Sequence, residues 1–513
     1  MSDMPILQRL RIPRTPEELP LYAKPGVDAD ISDQSWILRR GAELSLDSFF
    51  NACFIGDNGW PSQIASGVSC NLHLKGDFLI RLCVRETHGM ERTILKTEVR
   101  GCEAERPINL PFEQLGMDFE PCRVFPRVMA LSNDAVFQGG NYCCLIKGKP
   151  VTLGVVICTY KREQVAIRNA RILAADRDLI NARIQIVLVD NASTINPEEL
   201  PEGVVLLKNK NLGGAGGFSR GLVELLEGQA CSHVVLMDDD IQLDTEAVFR
   251  CLNHFRYHPE GLAIAGILLD EDKPSLIQEA GAWMNDSGSP LVVRPGFTGA
   301  DLAEPFTLDA LHSAPQPEYG GFWFFAFPLS LVQQRLLLPF FIKGDDVEFG
   351  LRLQKEGIGC RLLLGVGVRH PGFLNSFDMT KRYFWVRNML IVEMLHGHRS
   401  ALDLIKPLLS EAFREWRRGR QAHEKALVRG MNDFLNGPDW LERSDNSHLA
   451  FSLKEEQVHL RDMSEKKEIA LLFLQAIFCC LKMAFSAKRL RAAWRRKAPT
   501  LASRERWKAQ FSK

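Results

Sequence analysis

The hydrophobic and polar positions fall into three regimes along the chain. Up to residue 148 the apolar runs are short and broken by Gly, Pro and charged residues, which predicts a mostly β region. Residues 68–74 (VSCNLHL) and 78–84 (FLIRLCV) read as strands, with Lys75-Gly76-Asp77 between them as a hairpin turn. Residues 93–99 and 124–131 add further strands, and a β-sandwich over 1–148 is the expected architecture. The aromatic stretch from Phe49-Phe50 to Trp60-Pro61 reads as core, with a carbohydrate-contacting surface as the less favoured alternative.

After Gly148-Lys149-Pro150 the pattern changes. Residues 151–159 (VTLGVVICT) form a buried-strand run, and residues 164–175 have helical periodicity. Residues 184–189 (IQIVLV) are a second strand ending in Asp190-Asn191-Ala192-Ser193. Residues 204–207 follow, then a Gly-rich turn, a helix over about 218–226, and a strand that ends at Asp238. This alternation over 149–400 predicts a parallel sheet with helices on both faces. Residues 401–513, rich in Leu, Ala, Glu, Lys and Arg, should be helical.

Composition narrows the class. A chain of 513 residues with 46% hydrophobic and 25% charged residues is that of a soluble globular protein of two or three domains. Sixty-three basic side chains balance sixty-three acidic ones, which argues against a nucleic-acid partner. The balance is uneven, however: from Leu481 onward eleven Lys or Arg face Glu505 alone, so that tail carries +10 and the rest −10. Thirteen cysteines without C-x-x-C spacing suit buried thiols in a reducing cytoplasm. The N-terminus lacks an apolar signal core, and no run of 18 apolar residues suggests a spanning helix. Residues 469–481 (IALLFLQAIFCCL) are too short to cross a bilayer, but with the basic tail they could lie on an anionic leaflet. Packing as a core helix with a solvated basic end is the equal alternative.

The chemistry starts at Val234-Val235-Leu236-Met237-Asp238-Asp239-Asp240, where a buried strand ends in three carboxylates. Such crowding is costly unless a cation neutralises it, and oxygen ligands suit Mg²⁺ or Mn²⁺ beside a substrate phosphate. Thr159 and Arg162, Asp190, and the run from Asn211 through Gly213, Gly214, Gly216 and Gly217 also follow strands, so all could line one crevice. The glycine run breaks the dinucleotide pattern because its third position is Ser219, which disfavours an oxidoreductase. Downstream, Asp345-Asp346 open a probable helix, where a carboxylate can serve as a base. His370, in Val368-Arg369-His370-Pro371, could complete a metal shell or be structural.

Taken together, C-T-Y-x-R, V-D-N-A-S, N-L-G-G-A-G-G-F-S-R-G, L-M-D-D-D, F-I-K-G-D-D-V-E-F-G-L-R and V-R-H-P resemble the family 2 inverting glycosyltransferases of the GT-A fold. The closest resemblance is to the bacterial galactofuranosyltransferases that build galactan. It implies an N-terminal β-sandwich, an α/β GT-A domain and a helical C-terminal region. It also implies Thr159, Arg162, Asp190, Asp239, Asn211 and the four glycines along a UDP-sugar donor. Asp238, Asp240 and His370 would hold Mn²⁺ or Mg²⁺, and Asp346 would be the catalytic base. Trp323 and Asp345 would line the acceptor site, for a glycan or glycolipid on the cytoplasmic face of the inner membrane. Arg387 and Asn388 match an Arg-Asn pair on the helix after the histidine. Self-association into a homo-oligomer is left open. The resemblance implies UDP-galactofuranose as the donor, but Gly344 departs from a tryptophan and Tyr160-Lys161 from Phe-Asn, so processive addition and acceptor choice do not carry over. Another nucleotide-sugar donor, or a degenerate carbohydrate-binding scaffold, are the competing readings.

Overall fold

The computed structural model describes residues 4–24, 29–32, 35–87, 89–112, 121–258, 261–285, 289–372, 378–460 and 466–512. The N-terminal part is organised around one 19-residue strand, Val68–Glu86. Its first half pairs with Ala135–Cys144 and Ile108–Pro111, and its second half with Glu91–Cys102 and Cys122–Ala130. The expected hairpin at Lys75-Gly76-Asp77 does not form. Gly76 takes a left-handed φ of +108°, and the register slips beside it, so the strand bends without reversing. Leu72, Leu74, Phe78, Ile80, Leu82 and Val84 all enter one core, which joins the two sheet halves. Phe49, Phe50 and Trp60 are buried, and the Trp60 ring stacks on His254 at 3.8 Å, so the aromatic stretch is core.

The α/β part is built from β1 (Leu153–Thr159), β2 (Gln185–Asp190), β3 (Val204–Lys208), β4 (His233–Asp238), β5 (Leu262–Asp270), β6 (Ile277–Glu279), β7 (Phe324–Pro328) and β8 (Gly359–His370). Their order is β3-β2-β1-β4-β7-β5-β6, with β8 also paired to β5. The first four strands are parallel, as expected, but β7 runs antiparallel to both β4 and β5, so the sheet is mixed. Val156 and Leu236 enter one core, while Val155, Ile157, Val235 and Met237 enter another. Burial on both faces is why these strands read as continuous apolar runs.

The connecting helices are α1 (Glu163–Ala175), α2 (Gly213–Gly228), α3 (Thr245–Tyr257), α4 (Asp345–Lys355) and α5 (Met379–His396). The C-terminal region adds α6 (Ala401–Arg417), α7 (Gln421–Leu435), α8 (Asn446–Leu460), α9 (Lys466–Leu501) and α10 (Arg504–Phe511). The apolar run of 469–481 is thus part of a 36-residue helix. By length and composition alone, Glu468–Leu501 could cross a membrane, contrary to the expectation from apolar run length. One face of α9, through Ala476, Cys479, Cys480, Met483, Leu490 and Trp494, packs into a core shared with α5, α6 and α7. On the other, Leu471, Leu474, Phe478, Leu481 and Phe485 are exposed at alternating spacings of three and four.

The basic tail is less free than its composition suggests. Lys497 pairs with Glu442, while Arg491 and Arg495 donate to the carbonyls of Arg399 and Met394. Helix α10 folds back onto α2, where Trp507 is buried and donates to Leu337 O at 2.8 Å.

Candidate active site

The acidic corner forms where β1, β4 and β8 end. Parallel pairing sets Cys158 beside Asp238, which brings Thr159 to the following residue. Thr159 Oγ1 donates to Asp239 at 2.7 Å, and Arg162 reaches both Asp239, at 3.2 Å, and Asp240. His370 Nε2 stands 3.3 Å from Asp240. Burial, followed by repulsion from Asp240 and Asp239, pushes the Asp238 carboxyl up to about 7. Burial raises Asp239 as well. Burial also opposes ionisation of Asp240, but His370 and Arg162 outweigh it and hold this carboxyl below its ordinary value. Three carboxylates and an imidazole are therefore crowded around one corner with part of their charge uncompensated.

Among the described residues, no three His, Cys, Asp or Glu side chains are drawn together tightly enough to grip an ion. The donor set nevertheless fits Mn²⁺ or Mg²⁺: carboxylate oxygens predominate, one imidazole joins them, and Asp238 carries the like-charge repulsion that a cation relieves.

The residues expected along the donor divide into two kinds. Thr159, Arg162 and Asp239 are joined to the corner itself. Asp190 is fully buried, and its carboxylate accepts the amides of Ala192 (2.9 Å), Thr194 (2.6 Å) and Ile195 (2.8 Å), shaping the loop after β2. Asn211 likewise accepts from Gly213 N at 3.1 Å, at the entry to α2. That helix starts at Gly213, five residues earlier than its apolar periodicity predicts. Packing accounts for most of the glycine run. A Cβ on Gly213 would stand 2.1 Å from Phe341 O, on Gly216 2.2 Å from Leu212 Cβ, and on Gly217 2.1 Å from Cys158 Sγ. Gly214 alone of the four has room, and its nearest neighbour is Asp345 Oδ2 at 3.8 Å.

The second acidic pair opens α4. Asp345 is buried, Asp346 is partly exposed, and Asp346 Oδ1 accepts Val347 N at 2.8 Å. Burial, then Asp346 and also Asp238, push Asp345 up to about 8. Burial raises Asp346 too, against the opposing charge of Lys343 and the helix-start amides. Asp345 and Asp238 thus feel each other electrostatically, which ties the second pair to the acidic corner. Trp323 lies just before β7, where its carbonyl accepts Asp238 N at 3.4 Å and its indole donates to Gly266 O at 3.3 Å.

Glu279, at the end of β6, is a member of this group that sequence reasoning missed. Its Oε1 is buried without a hydrogen-bond partner among the described residues, and burial followed by repulsion from Asp346 pushes the carboxyl up to about 8. A single acid in a three-residue strand left no periodic signal. Arg387 and Asn388 are fully buried on α5 and face the carbonyls of Phe340, Ile342 and Lys343, just before Gly344 and the acidic pair.

Comparison with known proteins agrees with this geometry. Residues 154–304 match the family model described as glycosyl transferase family 2. Galactofuranosyltransferase GlfT2 of Mycolicibacterium smegmatis is 26% identical over 424 residues, covering 78% of this chain and 65% of that protein. GlfT2 of Mycobacterium tuberculosis is 26% identical over 325 residues, covering 59% of this chain and 51% of that protein. The chain thus spans between half and two thirds of the length of these relatives. Among solved structures, a mannosyltransferase from Pyrobaculum calidifontis, in complex with GDP-Man and Mn²⁺, is 12% identical at a TM-score of 0.33, covering 67% of this chain and 90% of that one. Residues 154–304, which include the strands β1 to β6, thus match glycosyl transferase family 2.

Proposed function

We propose that the protein transfers galactofuranose from UDP-galactofuranose to a hydroxyl of a growing, lipid-linked bacterial cell-surface glycan, with inversion at the anomeric carbon. The observation that carries this reading is that Asp345, the immediate neighbour of the candidate base Asp346, stands within electrostatic reach of Asp238 in the acidic corner. The similarity to galactofuranosyltransferases supports the choice of donor.

In this scheme Asp346 accepts the proton of the acceptor hydroxyl. The acceptor oxygen attacks the anomeric carbon from the face opposite UDP, the bond to the diphosphate breaks, and one displacement inverts the centre. Asp238, Asp240 and His370 would hold the divalent cation, which when bound supplies positive charge to the departing diphosphate. Thr159 and Arg162 fix Asp239 at the same corner. Trp323 and Asp345 line the acceptor side. The exposed stripe of α9, with Lys482, Lys488 and Arg489 near it, supports a peripheral position on the cytoplasmic leaflet, where a lipid-linked acceptor resides.

The direct test is product analysis with UDP-galactofuranose and a synthetic galactoside acceptor. Turnover of another nucleotide sugar in its place would overturn the furanose assignment. Asp346→Ala is expected to keep UDP binding and cut transfer to a small residual rate, and intact turnover in that variant would remove Asp346 as the base.

A further inference from the structure

We infer that Asn388, held by Arg387, is a positioning residue that clamps the strained turn 340–344 and thereby fixes the direction in which Asp346 enters the site. The inference rests on the reading of Asp346 as base.

The turn is unusual in its backbone. Phe341 (φ +72°), Lys343 (φ +65°) and Gly344 (φ +83°) all lie in the left-handed region, and two of the three carry side chains. Each such non-glycine residue costs on the order of 1 kcal/mol or more, and persists only where its surroundings over-determine it. Asn388 supplies much of that support. The amide nitrogen of Asn388 lies 3.2 Å from Phe340 O, 3.0 Å from Ile342 O and 2.7 Å from Lys343 O. Arg387 completes the arrangement: its Nε donates to Asn388 Oδ1 at 2.9 Å, which orients the amide, and Nη2 donates to Phe340 O at 3.1 Å. Its Nη1 donates to Asn446 Oδ1 at 2.8 Å, so α8 anchors the guanidinium in turn. Asn388 also packs against the turn: a Cβ added at Gly344 would stand 3.3 Å from Asn388 Cβ.

The clamped carbonyls end one residue before Gly344, the cap of α4, whose first two residues are Asp345 and Asp346. The same turn carries Lys343, which faces Asp346 from its own segment, as Asp345 does. Glu279 faces it from β6, and Tyr319 from the chain before β7. Satisfying buried carbonyls would alone justify an asparagine. Holding three of them in a left-handed turn that leads directly into the acidic pair links the clamp to the orientation of the base.

The test combines rate, binding and exchange on the full chain. Asn388→Ala is expected to lower kcat by about 10²-fold, the scale of an ångström-level misplacement, with UDP affinity unchanged. In an Asp346→Ala background the same substitution should cost nothing further in the residual rate, since residues acting as a unit are not additive. Hydrogen exchange should accelerate in the peptide covering 340–347 and stay unchanged in β1 and β4. Should Asn388→Ala not fold, Asn388→Ser is read in the same way. An unaltered kcat, a full additional loss without Asp346, or unchanged exchange at 340–347 would each overturn the clamp. Turnover by Asp346→Ala at the parent rate would instead bring down the underlying assignment of the base.

Discussion

Substituting Gly217 by Ala tests whether the glycine run exists for packing. The added methyl would stand 2.1 Å from Cys158 Sγ and 2.9 Å from Asn191 Nδ2. Ordinary heavy-atom contacts sit at about 3.5–4.0 Å, so the first turn of α2 would have to retreat from β1 by more than an ångström. Retreat is resisted, because Asn191 donates to Gly213 O at 3.0 Å and ties the helix entry to the loop after β2. Overpacking of this kind costs about 1–3 kcal/mol, against a gain of up to about 1 kcal/mol from placing Ala in a helix. A net loss of roughly 1 kcal/mol is expected. Urea denaturation of the full chain measures it as a lowered midpoint. Cys158→Ala removes the obstructing sulfur, so the double variant should be more stable than the two single losses sum to, by about 1 kcal/mol or more. Gly228→Ala, which meets nothing within 4 Å, is the control and should be neutral or stabilising. Gly214→Ala should likewise fold normally, because its methyl meets nothing closer than Asp345 Oδ2 at 3.8 Å. A Gly217→Ala protein as stable as the parent, or one indifferent to Cys158→Ala, would refute the packing account.

Three further outcomes are open to measurement. Glu18 and Arg369 form a buried pair between the N-terminal region and the residue preceding His370, and Arg369 also exchanges backbone hydrogen bonds with Gln242, two residues past the acidic triplet. Glu18→Gln leaves Arg369 buried without its counter-charge, so a loss on the order of 3 kcal/mol and weaker calorimetric Mn²⁺ binding are expected; an unchanged melting temperature would contradict this. Glu279 titrates in the folded protein near 8, against 4.5 when unperturbed. Between those values the folded state holds a proton that the unfolded state has lost, so this group reduces stability as pH rises through the window. Glu279→Gln should therefore gain melting temperature relative to the parent at pH 8 and little at pH 5; a pH-independent difference would refute it. Finally, flotation with anionic phospholipid vesicles should capture the parent but not a Leu474→Glu/Phe478→Glu/Leu481→Glu variant, and equal capture would place any membrane contact elsewhere.

Much of this protein was legible in the chain because of what burial does to sequence. The strands β1, β2 and β4 lie between two cores, so their apolar runs are unbroken and their ends are marked by the first polar residue. Carboxylates at such an end are too costly to be incidental, which made Asp238–Asp240 and Asp345–Asp346 readable as chemistry. Where two signals competed, the local one misled. Lys75-Gly76-Asp77 has the composition of a turn, yet the even-numbered positions from Leu72 to Val84 keep a single phase straight through Gly76. A reversal would have had no reason to preserve that phase across the turn. The C-terminal charges failed similarly, because composition cannot tell a solvated lysine from Lys497 on Glu442.

The support of the site was the least legible part, and the reason is geometric. Asp190 stands out in sequence because it ends a strand, but nothing local says that its carboxylate also holds three amides of the loop that follows. Asn388 reads as one polar residue on an apolar helix, and nothing local says that it meets carbonyls some 45 residues earlier. Residues that carry charge into a site announce themselves by the cost of putting them there. Residues that aim those charges are neutral, fully hydrogen-bonded and cheap to bury, so they leave no trace until the fold brings donor and acceptor together. Side chains such as Asn388 and Asn191 are therefore where substitutions far from the chemistry should alter rate before they alter binding.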